Sequence, residues 1–131
     1  MKKRIIFSVI LILSIFMITG CNNNEHNYKL RITESSWSGW TSDYQPKEVT
    51  KEYDVVLGKE YNIDSGNFIF KIKKVRNNSI VIETKEYFSD NEKGIDLRSK
   101  KRKFKIYFDK ETKLVTPTMD EGNIYYLILV K

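Results

Sequence analysis

Alanine is absent from this 131-residue chain, and cysteine and histidine occur once each, at Cys21 and His26. With a single cysteine, no disulfide can close within the chain, so stability must come from burial and backbone pairing. Zinc sites draw on several Cys and His ligands, and these are missing. A Ser or Cys nucleophile needs a nearby base, usually histidine, and His26 lies in a polar stretch with nothing around it to organise a triad. Without alanine, the best helix former, and with many Tyr, Phe, Ile, Val and Thr, composition leans to strands. Proline is confined to Pro46 and Pro117, each in a segment that breaks the strand pattern.

The chain begins with Lys2, Lys3 and Arg4, followed by Ile5 to Ile18, apolar apart from Ser8 and Ser14. A positive start and an apolar run form a secretory signal. Fourteen residues fall short of the roughly 20 that a spanning helix requires. The run ends in Ile18-Thr19-Gly20-Cys21, and this resembles a bacterial lipoprotein signal peptide with its lipobox. The resemblance implies diacylglycerol attached to the Cys21 thiol and cleavage of the Gly20–Cys21 bond, with Cys21 as the new N-terminus. It covers only Met1 to Cys21 and implies location at the outer face of the cell membrane, without implying any activity. Cleavage would leave 111 residues, a length suited to one domain (28–131) behind a lipidated, polar tether (21–27). Three cations leave with the signal, so 20 remain against 17 carboxylates and the net charge falls from +6 to +3. So mild a charge does not call for nucleic acid.

Alternation carries most of the remaining information. Tyr28, Leu30 and Ile32 alternate with polar neighbours and read as a half-buried strand. Glu34 to Val49 reads as a long loop. Lys51–Leu57 and Glu60–Ile63 read as two strands around a tight turn at Gly58-Lys59, and Ser65-Gly66-Asn67 as another turn. Phe68, Phe70 and Ile72 share a face. Arg76-Asn77-Asn78-Ser79 reads as a two-residue hairpin, with Asn suited to positive φ. That hairpin sets Val75 opposite Ile80, yet Ile72 and Val75 differ in parity, so a bulge is expected near Lys73-Lys74. Phe88 to Asp96 reads as a polar connection. Phe104, Ile106 and Phe108 alternate, Asp109 to Thr112 turns, and Leu114 and Val115 return. Thr116 to Asn123 reads as a loop. Ile124 to Val130 is apolar at every position, as in a central strand. About eight short strands without an amphipathic helix predict an all-β fold: a small antiparallel β-sandwich, Ig-like, with a small β-barrel as the alternative.

Four stretches are candidates for function. Trp37, Trp40 and Tyr44 form an aromatic loop suited to partner binding, since Trp and Tyr are enriched at hot spots. At least one of the tryptophans is expected to cap the core. Arg98, Lys100, Lys101, Arg102, Lys103 and Lys105 form a basic run. It suits contact with anionic headgroups or cell-wall polymers; the alternation into Phe104-Lys105-Ile106 favours the compatible reading of an edge strand blunted against aggregation. Asp90 to Asp96 has oxygen ligands around Gly94, but its spacing departs from a calcium loop and Lys93 adds repulsion. Thr116 to Asp120 is a weaker binding candidate. No pair of carboxylates stands out for glycoside hydrolysis. The expectation is a monomeric, non-enzymatic binding or accessory module. It would be held at the membrane through Cys21, touch an envelope protein or cell-wall polymer, and need no metal or cofactor. The runner-up is an inhibitor or immunity-type protein whose loops block an envelope or secreted enzyme.

Overall fold

The computed structural model describes residues 27–40, 43, 45–90, 100–118 and 120–131. The lipobox with Gly20 and Cys21, most of the tether, Tyr44, Arg98, Met119 and the calcium-like stretch beyond Asp90 lie outside the described residues.

Eight strands follow one another: β1 (Lys29–Ser38), β2 (Val49–Asp54), β3 (Glu60–Ile63), β4 (Phe68–Val75), β5 (Ser79–Ser89), β6 (Lys100–Tyr107), β7 (Thr112–Val115) and β8 (Glu121–Val130). Among the described residues no α-helix occurs, and the helical structure there is a single 3-10 turn at Asp64–Gly66. All pairings are antiparallel and belong to one curled sheet, a half-barrel, ordered β2-β1-β8-β7-β5-β4-β3 with β6 on β5. Five of the seven pairings join strands consecutive in sequence. The connectivity is therefore a meander closed by β1 on β8, without the crossed connections of an immunoglobulin sandwich. The eight-stranded all-β class stands, in a geometry between sandwich and barrel.

The alternating apolar residues all turn to the concave side. Leu30, Ile32, Phe68, Phe70, Ile72, Ile80, Ile82, Ile106, Leu127 and Leu129 are buried in one continuous core. Each such side chain contributes roughly 1.5–3 kcal/mol by leaving water. Val75 faces Ile80, and the register slips between Ile72 and Lys74, which turns both Ile72 and Val75 inward. The hairpin forms with Arg76 N donating to Ser79 O at 2.8 Å. Neither Asn77 nor Asn78 takes positive φ. The turn is pinned from outside instead, by the Tyr28 hydroxyl donating to Asn77 O at 2.6 Å.

Four local expectations are corrected. β1 runs on through Ser35, Ser36 and Trp37 to Ser38, because β8 supplies a backbone partner as far as Glu121. β8 accordingly starts at Glu121, inside the segment read as a loop. β5 continues to Ser89 and buries Phe88. Finally, β2 and β3 do not pair with each other: they lie at opposite ends of the strand order, and residues 55–59 bridge the seam between them. Tyr61 closes that seam. Its hydroxyl donates to Asp54 O and accepts from Val56 N at 3.3 Å, with its ring edge-on to Tyr53.

The half-barrel has two ends. One gathers Tyr28, the 55–59 link, the 76–79 turn, Phe108 and Lys131; the other gathers Trp37 to Trp40, the 64–66 turn, the second half of β5, the start of β6 and residues 116–122. They are called here the Tyr28 end and the Trp40 end.

Candidate functional site

The Trp40 end brings together two loops that are far apart in sequence. Gly39 N donates to Asp120 O at 2.7 Å, so the aromatic loop and the 116–120 loop become one platform. The platform is braced from below. Thr116 N donates to Asn123 O and Asn123 N to Thr116 Oγ1, both at 3.0 Å, and the Thr118 hydroxyl donates to Glu121 O. The two tryptophans divide the work. Trp37 is half-buried across Gly122; a Cβ there would lie 2.9 Å from Trp37 Nε1 and 2.8 Å from Thr118 Oγ1. Its buried indole N–H has no acceptor among the described residues. Glycine is required by this close approach, and the indole in return covers the bare backbone. Trp40 is 73% exposed, with its backbone N–H bonded to Ser38 Oγ at 3.3 Å. A large exposed aromatic on a hydrogen-bonded platform has little ordering entropy left to lose on binding.

The basic run lies on β6, which among the described residues pairs as a strand with β5 alone, and residues 100–103 and 105 are exposed. Three of its described cations lie against carboxylates. Lys101 pairs with Asp90 at 2.7 Å, Lys103 and Arg102 lie 3.7 and 4.0 Å from Glu83, and Arg102 Nε donates to Thr84 O at 2.8 Å. Pairs this exposed add little stability, but lysines along a one-sided strand discourage further strand addition. Asp90, the first residue of the calcium-like stretch, is thus held by a cation. Four lysines, 101, 105, 110 and 113, line an open groove of about 240 Å³ with Asp90, Glu111 and Tyr107.

The alternation missed a feature beside this run. The β5–β6 register shifts between Glu83 and Phe88, leaving residues 84–87 as a wide bulge opposite Arg102. Tyr87 projects from it, 52% exposed, with Lys100 Nζ 5.7 Å and the Arg102 guanidinium 5.9 Å from its ring centre. These distances suit cation–π contact. The signal was available: Phe88 shares the parity of Ile80 and Ile82, so the strand had to continue past Thr84.

A polar cluster lies under the same end. The fully buried Tyr125 hydroxyl donates to Asp64 Oδ2 at 2.8 Å. Burial, reinforced by this bond and by the charges of Asp64 and Glu34, pushes its ionisation far above the ordinary tyrosine range. The phenol is therefore a fixed donor that ties the 64–66 turn to β8. Asp64 and Ser65 both have positive φ, at 53° and 54°, a conformation Asp tolerates better than most residues. Glu34, opposite Tyr125, has its pKa raised by burial and by Asp64, with Lys51 opposing. Among the described residues, no group of three or more His, Cys, Asp or Glu is arranged to hold a metal ion.

Comparison with protein-family models, curated proteins and solved structures finds no match to the chain. What can be stated of its class is the fold: an eight-stranded antiparallel half-barrel with an aromatic platform at one end.

Proposed function

We propose that this chain is a lipid-anchored, extracytoplasmic binding module that acts without catalysis and engages an envelope protein or cell-wall polymer through its Trp40 end. The anchor reading is supported by the ordered pattern of Lys2 to Arg4, Ile5 to Ile18 and the Thr19-Gly20-Cys21 ending. The binding reading is carried by one observation, the 73% exposure of Trp40 on a hydrogen-bonded platform. Tyr87 with Lys100 and Arg102 extends that surface with a second exposed aromatic and two cations, a combination suited to a partner carrying negative charge.

The experiment compares capture of envelope components by the wild-type chain and by Trp40→Ala in detergent-solubilised membranes. An interface centred on an aromatic hot spot should lose about tenfold or more in affinity on truncation, with an unchanged melting temperature because Trp40 packs against little. Equal capture would sink the binding role of this end. Recovery of an envelope hydrolase whose activity falls on binding would favour the inhibitor reading. Processing is read separately: Cys21→Ser should leave an uncleaved precursor that takes up no labelled fatty acid, and normal cleavage with unaltered membrane retention would refute the lipobox.

A further inference from the structure

We infer that the Tyr28 end is a docking surface for an anionic bilayer, with Val56 and Leu57 as its apolar tip. The inference rests on the lipid-anchor reading and adds to it the orientation of the domain. Val56 and Leu57 are 48% and 64% exposed and adjacent, on the short link that crosses the seam between β2 and β3. The link is firmly held. Lys59 N donates to Val56 O at 3.1 Å, Gly58 N to Ile72 O at 2.8 Å and Ile72 N to Lys59 O at 3.2 Å. Gly58 has φ of 80°, which lets the chain reverse there and leaves the two apolar side chains facing outward. Exposed apolar residues on a rigid turn cost solvation at all times, and shallow insertion among headgroups would recover it.

The position of the tip selects the occupant. Val55 N donates to Tyr28 O at 3.0 Å, so the tip adjoins the first strand's point of entry. Cys21 is seven residues before Tyr28, and seven residues reach at most about 25 Å. β1 then carries the chain ten residues onward, roughly 33 Å, to the Trp40 end. An acyl group on Cys21 therefore keeps the Tyr28 end within about 25 Å of the membrane at high local concentration, and insertion of the tip would turn the Trp40 end away from it. The charge fits an anionic surface: Lys29, Lys59, Lys74, Arg76 and Lys131 are exposed at this end, against the exposed carboxylates Asp54, Glu60 and Asp109. Each cation close to an anionic leaflet is attracted to it.

The test is amide hydrogen exchange of the full acylated chain on vesicles of phosphatidylcholine alone and on vesicles with about one-third phosphatidylglycerol. Exchange at residues 56–57 should slow by about fivefold or more on the anionic vesicles, while residues 38–40 exchange equally on both. Leu57→Asp should remove the protection while the chain stays on the vesicle through its acyl group, and Lys59→Glu should weaken it. Both positions are exposed, so folding should survive either change. An acylated chain whose tip exchanges at one rate on both vesicle types overturns the docking surface alone. A chain with no acyl mass on Cys21 overturns the anchor and the docking surface with it. Protection that follows protein density and not lipid charge identifies contact between copies and also overturns the proposal.

Discussion

The two ends of the half-barrel are made by the same eight strands and finished in different ways. At the Tyr28 end the strands stop where their pairing stops. Short links at 55–59, 76–78 and 108–111 close the gaps, and aliphatic Ile72, Ile80, Ile106 and Leu129 are buried beneath, flanked by separate ring contacts of Tyr28 with Phe108 and of Tyr61 with Tyr53 and Phe70. β1, β5 and β8, each ten or eleven residues long, extend into the Trp40 end, where Phe68, Phe88 and Tyr125 form one continuous aromatic layer. Phe68 stacks on Tyr125 at 4.4 Å and meets Phe88 edge-on at 5.4 Å. The long strand ends carry Trp37, Tyr87 and Phe88, and their loops carry Trp40. A short, tightly linked end suits a fixed surface. An end made of extended strands over an aromatic layer can present large side chains on a rigid base.

This contrast can be broken by substitution. The largest effect should come from Phe68→Ala, which removes the centre of the aromatic layer and should cost about 3–5 kcal/mol in urea unfolding. Ile72→Val, buried toward the Tyr28 end, should cost only about 0.5–1.5 kcal/mol. A loss for Phe68→Ala no larger than that for Ile72→Val would mean that Phe68 is not packed at the centre of the layer. Next, Gly122→Val should push Trp37 off its seat and cost about 1–3 kcal/mol from overpacking. A red shift of tryptophan emission should accompany the loss, and an unchanged spectrum would contradict the packing described.

Glu34 sharpens the comparison through pH. Its pKa is raised above the ordinary 4.5 in the folded protein, chiefly by burial and then by Asp64. A carboxyl with a raised folded pKa favours the folded state while protonated, so its contribution is present below pH 4.5 and is lost as pH rises through the folded value. Glu34→Gln should therefore raise the urea midpoint at neutral pH relative to wild type, and the gain should vanish well below pH 4.5. A gain of equal size at every pH would contradict the ionisation argument. The smallest effect belongs to the Arg31–Glu52 pair between β1 and β2, in contact at 2.9 Å but 47% and 40% exposed. Glu52→Gln should change stability by about 0.2–1 kcal/mol, and less in high salt.

The sequence was most legible where alternation was strict and partners were local. The two-residue hairpin fixed Val75 opposite Ile80, the parity clash with Ile72 then located the bulge, and the apolar run of β8 marked a central strand. It was least legible where strands are held by distant partners. Ser35, Ser36 and Ser38 have little strand propensity of their own, and only the pairing with β8 keeps them extended. The separate destinations of β2 and β3 were hidden for the same reason: a short link with a glycine reads as a hairpin until β1 and β4 are seen to claim the two strands. Of the candidate site, Trp37 and Trp40 were legible as residues, but their division into one packed and one exposed indole depends on Gly122, more than eighty positions away. Tyr87 was lost because the bulge that projects it arises from mismatched strand lengths across β5 and β6.

In the proposed orientation the Tyr28 end faces the membrane and the Trp40 end faces away. Quenching of tryptophan fluorescence by lipids brominated in the acyl chain tests it most directly, with the acylated full chain on anionic vesicles. Two proteins are compared, each with one indole: Trp37→Phe, which keeps Trp40, and Trp37→Phe with Trp40→Phe and Leu57→Trp. Strong quenching of the indole at position 57, with Trp40 as bright as on unbrominated vesicles, is the predicted result. Quenching of Trp40 with position 57 unaffected would contradict it.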